Sequence, residues 1–213
     1  NEVVLTSGIS VAINYGIQIG TGGLVLGSNS VIDGSVYSNG NITGAGSITG
    51  NAVSANSASL TSDQNNGSGT PDYNIIFGNT NDTEDFAQSF QISATGAFSK
   101  VEFYIKKKGT PSNLNVRIVA DNGSVPSTTT LASGTLLSSL VSTNYSWVNV
   151  PFSSNPELNQ GTTYWLVLDG GSNANKYYTI GANNDGYLNG ISKIGNYSGV
   201  WNTTDPTGLD SFF

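Results

Sequence analysis

The 213-residue chain is only 10% charged, carries a net charge of -7 and contains no Cys, His or Met. That balance argues against nucleic acid and anionic membranes as partners, since no excess of cations is present to neutralise phosphates. It also excludes a disulfide framework, a thiol nucleophile, a Ser–His relay and a His-containing zinc motif.

Globular proteins are usually about 25% charged. Here Ser, Thr, Asn and Gly carry solubility, which points to a secreted or cell-surface setting. No apolar run approaches the roughly 20 residues of a membrane-spanning helix. The chain begins at Asn1, as expected if a signal or anchor has been removed upstream. Glycine is abundant and helical periodicity is missing, so the expected class is all-β.

Ile9, Val11, Ile13, Tyr15, Ile17 and Ile19 occupy alternate positions. This period-two pattern predicts a strand within residues 1–22, longer than the usual five or six residues. Such a strand can be an ordinary edge, or it can be donated to another copy's sheet, making these six residues an assembly strand.

Between residues 23 and 58, Val36, Ile42 and Ile48 recur every six residues, with Gly34, Gly40 and Gly46 keeping the same step. One aliphatic per short strand followed by a small corner residue predicts a short β-solenoid. The segment resembles hexapeptide-type solenoids, including bactofilin-like polymer-forming proteins. About two coils cannot cover their own ends. Residues 59–71 are polar and turn-rich and read as a linker.

Residues 72–213 carry about nine short strands separated by turns, which predicts a two-sheet sandwich. The unbroken run Tyr164-Trp-Leu-Val-Leu168 reads as a central strand covered on both faces. Val101, Phe103 and Ile105 alternate with polar positions. Tyr145 to Phe152 also alternates, and either Trp147 or Val148 can join its apolar face; Trp147 and Trp165 are both expected inside. The final Leu209-Asp-Ser-Phe-Phe213 stops where a closing strand would still run, which suggests a truncated element or a groove that a partner strand fills.

Phe86-Ala-Gln-Ser-Phe90, Val101-Glu-Phe-Tyr-Ile-Lys106, Asp121-Asn-Gly, Trp147-Val-Asn-Val and Gly161-Thr-Thr-Tyr-Trp165 resemble the carbohydrate-binding-module-like jelly-roll domains of bacterial surface proteins. The resemblance implies a jelly-roll-like sandwich. That family includes sugar binders and pure spacers, so a fold is implied rather than a ligand.

The four glutamates, Glu2, Glu84, Glu102 and Glu157, show no spacing that marks a glycosidase pair, and no enzymatic activity is expected. Asn81-Asp-Thr-Glu-Asp85 places Asp82, Glu84 and Asp85 just before a strand, a candidate calcium loop as well as a plain acidic turn. Trp201, flanked by loop signals, is the best exposed aromatic platform for a sugar; Tyr187 and Tyr177 are further candidates. Lys106–Lys108 reads as a solvated turn.

The leading expectation is a non-enzymatic structural subunit of an extracellular appendage or filament, a homopolymer joined by strand exchange or end-to-end stacking. The alternative is a glycan-binding adhesin module on a surface stalk. A calcium-stabilised spacer is the third.

Overall fold

The computed structural model describes residues 16–54, 62–184 and 186–213. The chain divides into two compact units, Asn1–Thr61 and Ser62–Phe213.

The first unit is built from β1 (Ile17–Ile19), β2 (Leu24–Leu26), β3 (Val31–Ile32), β4 (Val36–Ser38), β5 (Ile42–Gly44), β6 (Ser47–Ile48) and β7 (Ala52–Ser54). All pairing is parallel. Ile17 lies opposite Val36, and Val36 opposite Ala52. Leu24 lies opposite Ile42, and Val31 opposite Ser47. Three short strands are therefore followed by three more that lie against them one for one, and β7 begins another round.

Glycine recurs because the rounds approach closely. Gly44 has φ +116°, and a Cβ there would sit 2.0 Å from the Leu26 carbonyl oxygen. Ile17 and Ile19 lie on β1, the first strand among the described residues, which carries this unit's pairing upstream of residue 23. The backbone of β1 pairs with β4 of the same unit. Ile9, Val11, Ile13 and Tyr15 lie outside the described residues.

The second unit contains β8 (Tyr73–Phe77), β9 (Asp85–Gln91), β10 (Gly96–Ala97), β11 (Lys100–Lys108), β12 (Leu114–Asp121), β13 (Pro126–Leu136) and β14 (Ser146–Pro151). It continues with β15 (Glu157–Leu158), β16 (Thr163–Asp169), β17 (Tyr177–Asn184), β18 (Ser192–Gly195), β19 (Trp201–Thr203) and β20 (Leu209–Ser211). One sheet has the order β13-β12-β16-β9-β18-β19. The other runs β14-β11-β17-β20, with β8 also on β17. Strands pair from the outside inward: β9 with β18, β11 with β17 and β12 with β16, all antiparallel. This nesting is that of a jelly-roll-like sandwich.

The core lies between the sheets. Phe103 and Ile105 of β11, Val148 and Val150 of β14, and Tyr178 and Ile180 of β17 meet Phe86, Val116, Leu166 and Leu168 from the facing sheet. Period two places these residues on one face of each strand. At the edge where β13 approaches β14, Ser153 N–H donates to the Ser133 carbonyl. This closes part of a margin that would otherwise present unpaired backbone.

The C-terminal tail itself fills the place between β11 and β17 expected for a partner strand. Beyond the β11–β17 pairing, β20 runs along the far half of β17. Phe212 N–H donates to the Gly181 carbonyl, and Tyr104 N–H donates to the Phe212 carbonyl. Phe212 and Phe213 are both buried. The chain's own tail satisfies the backbone groups that the splay between β11 and β17 would expose.

Residues 62–71, expected as linker, are built into this unit. Asn66 is buried and exchanges two backbone hydrogen bonds with Phe213. Its Nδ2 also donates to the Ser211 carbonyl. Low hydrophobicity marked this segment as loose, but its amides fulfil backbone partners that an apolar side chain could not.

Candidate functional site

The outer face of the six-stranded sheet carries a second apolar cluster. Ala87, Val119, Trp165 and Val167 form its floor, and Ile191, Tyr197 and Trp201 pack over them. Trp165 is therefore buried on both sides although it points away from the main core, as the unbroken apolar run in β16 predicts. Its Nε1 donates to Asp121 Oδ1 over 2.7 Å.

The turn between β18 and β19 folds back across this face and is pinned there. Asp85 is buried at the start of β9. Its Oδ2 accepts the Tyr197 N–H at 2.7 Å, and its Oδ1 accepts the Gly170 N–H at 2.9 Å. Burial pushes the Asp85 carboxyl up to about 6; these two bonds oppose the rise, and the nearby charges of Asp169 and Glu84 add to it. Glu84 Oε2 accepts from Asn196 Nδ2. The Arg117 guanidinium lies 5.0 Å from the Tyr197 ring centre and pairs with Asp169 at 2.7 Å. The Tyr197 hydroxyl reaches Thr130 Oγ1 and the Thr128 carbonyl on β13.

Between this turn and the β12–β13 turn lies a groove of about 730 Å³. Tyr197 and Trp201 line it together with Asp121, Asn122, Ser127 and Thr128. Aromatic faces supply apolar area, while the carboxylate, amide and hydroxyls supply directional hydrogen bonding. That mixture is what recognition of a small polar ligand requires.

Of the sugar-platform candidates, only Trp201 reaches this groove. Tyr187 is buried. Its hydroxyl accepts the Gln91 N–H and donates to Gln64 Oε1, and its ring meets Phe213 edge-on. It is a core residue with satisfied polar atoms, because the tail and residues 62–71 close over it. Tyr177 lies on the other sheet and lines a second groove with Lys108 and Thr179.

The three acidic candidates do not gather. Asp82 is exposed in the short turn Asn81–Thr83, Glu84 is bound to Asn196, and Asp85 is committed to backbone N–H groups. Among the described residues, no group of three His, Cys, Asp or Glu is placed to hold a metal ion. Adjacent carboxylates in a turn entering a strand diverge, which their closeness in sequence conceals.

Tyr197 was not singled out as a site residue in the sequence, although it sits four positions from Trp201. Trp147, expected inside, is 45% exposed. Val148 and Val150 take the inner face of β14, which resolves the two phases that Tyr145 to Phe152 allowed.

The chain matches no protein-family model, no curated protein and no solved structure. No helix among the described residues is long and apolar enough to cross a membrane.

Proposed function

We propose that this protein is a non-enzymatic, extracellular surface module that holds a glycan in the groove of Tyr197 and Trp201. One observation carries the reading. The half-buried Trp201 indole lines a groove of about 730 Å³ alongside a carboxylate, an amide and several hydroxyls. The polar but weakly charged composition supports the extracellular setting. Trp201→Ala abolishes retention in affinity electrophoresis through gels of neutral polysaccharides, and the exposed Asn122→Ala weakens it while leaving the melting temperature unchanged. Failure of the parent chain to be retained by any of a panel of neutral glycans defeats the reading.

A second reading is favoured by the first unit. Its short strands pair in parallel, as the coils of a solenoid would, and Ile32, Ile42, Ile48 and Val53 stay partly exposed. Stacked coils normally bury such residues against further coils. Copies of this chain assembled end to end would supply them, as a subunit of a surface filament. Electron microscopy of purified protein, with and without residues 1–20, which include β1, tests this: unchanged filaments after the deletion, or no filaments at all, reject end-to-end assembly through the first unit. The buried C-terminal tail lends this reading no support.

A further inference from the structure

We infer that the outer face of the five-stranded sheet is a second binding surface, suited to an anionic polysaccharide such as a polyuronate. It is separate from the Trp201 groove, which lies on the opposite sheet, and does not depend on that groove's ligand.

The chain has seven basic residues against fourteen acidic ones, yet four of the seven stand on β11: Lys100, Lys106, Lys107 and Lys108. Lys100 is neutralised by Glu102 at 2.8 Å. Lys107 donates to the Ser138 carbonyl. Lys106 and Lys108 make no ion pair with a carboxylate among the described residues. Each instead lies over a ring: Lys106 Nζ is 4.3 Å from the Tyr145 ring centre, and Lys108 Nζ is 5.2 Å from that of Tyr177. Ring contacts of this kind hold an ammonium group in place without cancelling its charge.

These groups line a groove of about 510 Å³ whose walls include Asn74, Lys106, Lys108, Tyr177 and Thr179. At its side, Tyr145 donates to Asn74 Oδ1 and stacks on Tyr104 with ring centres 5.1 Å apart. Tyr104 in turn meets the exposed Trp147 at 5.3 Å. The surface therefore combines two unneutralised cations, an amide, a hydroxyl and a row of aromatic rings. Burial pushes the Tyr145 phenol up to about 12, with Tyr104 adding to the rise, so Tyr145 stays neutral beneath Lys106.

On this surface, two lysines without an ion pair among the described residues, in a chain of net charge -7, fit a polymer with one charge per sugar better than duplex nucleic acid, which carries one charge per ~1.7 Å. The aromatic row suits the C–H faces of sugar rings, and the two cations suit their carboxylates or sulfates.

Affinity electrophoresis through gels containing polygalacturonate or chondroitin sulfate tests the inference, with hydroxyethyl cellulose and sheared duplex DNA as comparisons. The parent chain is expected to be retarded by at least one of the two anionic polysaccharides, with retardation falling steeply as salt rises through about 0.1 M, where the screening length is ~10 Å. Lys106→Gln/Lys108→Gln is expected to weaken the affinity at least fivefold while melting as the parent does, and Tyr177→Ala to weaken it by a similar factor. Trp201→Ala is expected to leave it unchanged, which separates this surface from the other groove. Mobility unchanged from a blank gel overturns the inference. So do undiminished binding by the double lysine variant, loss through Trp201→Ala, and stronger retardation by DNA than by both polysaccharides.

Discussion

Gln88 and Asp210 meet inside the sandwich: Gln88 Nε2 donates to Asp210 Oδ1 over 3.0 Å, and the two residues are 0% and 2% exposed. Gln88 Oε1 accepts from Ser192 Oγ and Ser211 N–H, while Asp210 Oδ2 accepts the Tyr187 N–H. One amide thus ties β9, β18 and the C-terminal strand together and gives a buried carboxylate a donor.

Gln88→Leu keeps the volume and removes both functions of that amide. Asp210 Oδ1, Ser192 Oγ and Ser211 N–H, all on buried residues, each lose a hydrogen bond with it, and the combined loss is expected to cost roughly 3 kcal/mol. Thermal unfolding should occur about 10 °C lower. Gln88→Glu sets two carboxyl groups against each other and should regain stability on acidification as the pair takes up a proton. A Gln88→Leu protein that melts with the parent would show that the tail is held by packing alone.

The Asp85 clamp should register in the pH dependence of stability. Its folded carboxyl titrates at about 6, above the ordinary 3.8. The folded state therefore binds the proton more tightly than the unfolded chain does. Its contribution to stability grows as pH falls from above 6 towards 4 and is lost as pH rises through 6. An increment on the order of 1 kcal/mol, allowing for partial solvent access, is expected between pH 7 and pH 4.5. Denaturant titrations of the parent and Asp85→Asn should differ in this window, the variant lacking the slope; parallel profiles would count against a buried, titrating Asp85.

Gly134 marks the point where β13 closes on β14. A Cβ there would lie 2.3 Å from the Pro151 carbonyl oxygen, and a backbone atom cannot swing aside. Gly134→Ala is expected to destabilise the second unit by about 1–3 kcal/mol and to speed amide hydrogen exchange at Ser153, whose N–H bonds Ser133. Unchanged exchange at Ser153 would show that the margin is held elsewhere.

Two tryptophans in neighbouring sequence contexts should behave oppositely. Trp165 is 1% exposed and Trp147 is 45% exposed. Trp165→Ala is expected to cost about 3–5 kcal/mol. Trp147→Ala removes one ring contact with Tyr104 and should cost no more than about 1 kcal/mol. Equal losses measured by urea unfolding would contradict the assignment of Trp147 to the outer face.

Local patterns were legible wherever burial follows a strand's own period. Val101, Phe103 and Ile105 point inward together, and the apolar run from Tyr164 to Leu168 is buried throughout. The groove was legible only through Trp201. Its opposite wall, Asp121 to Thr128, is far away in sequence and was visible only as a turn. Tyr187 misled because nearby turn signals suggested exposure, whereas coverage comes from Gln64 and Phe213, distant in the chain.

Composition and two-residue periodicity by themselves determined an all-β chain with a sandwich in its C-terminal part, since alternation dictates which side chains a strand can bury. Tertiary structure decided what happens at the margins. It seated Phe212 between β11 and β17, turned the polar run around Asn66 into a brace for the tail, and put Lys106 and Lys108 on a surface beside aromatic rings. The physical reason is that backbone groups and charges at a sheet's edge or outer face take their partners from distant parts of the chain, and no local pattern records which part will arrive.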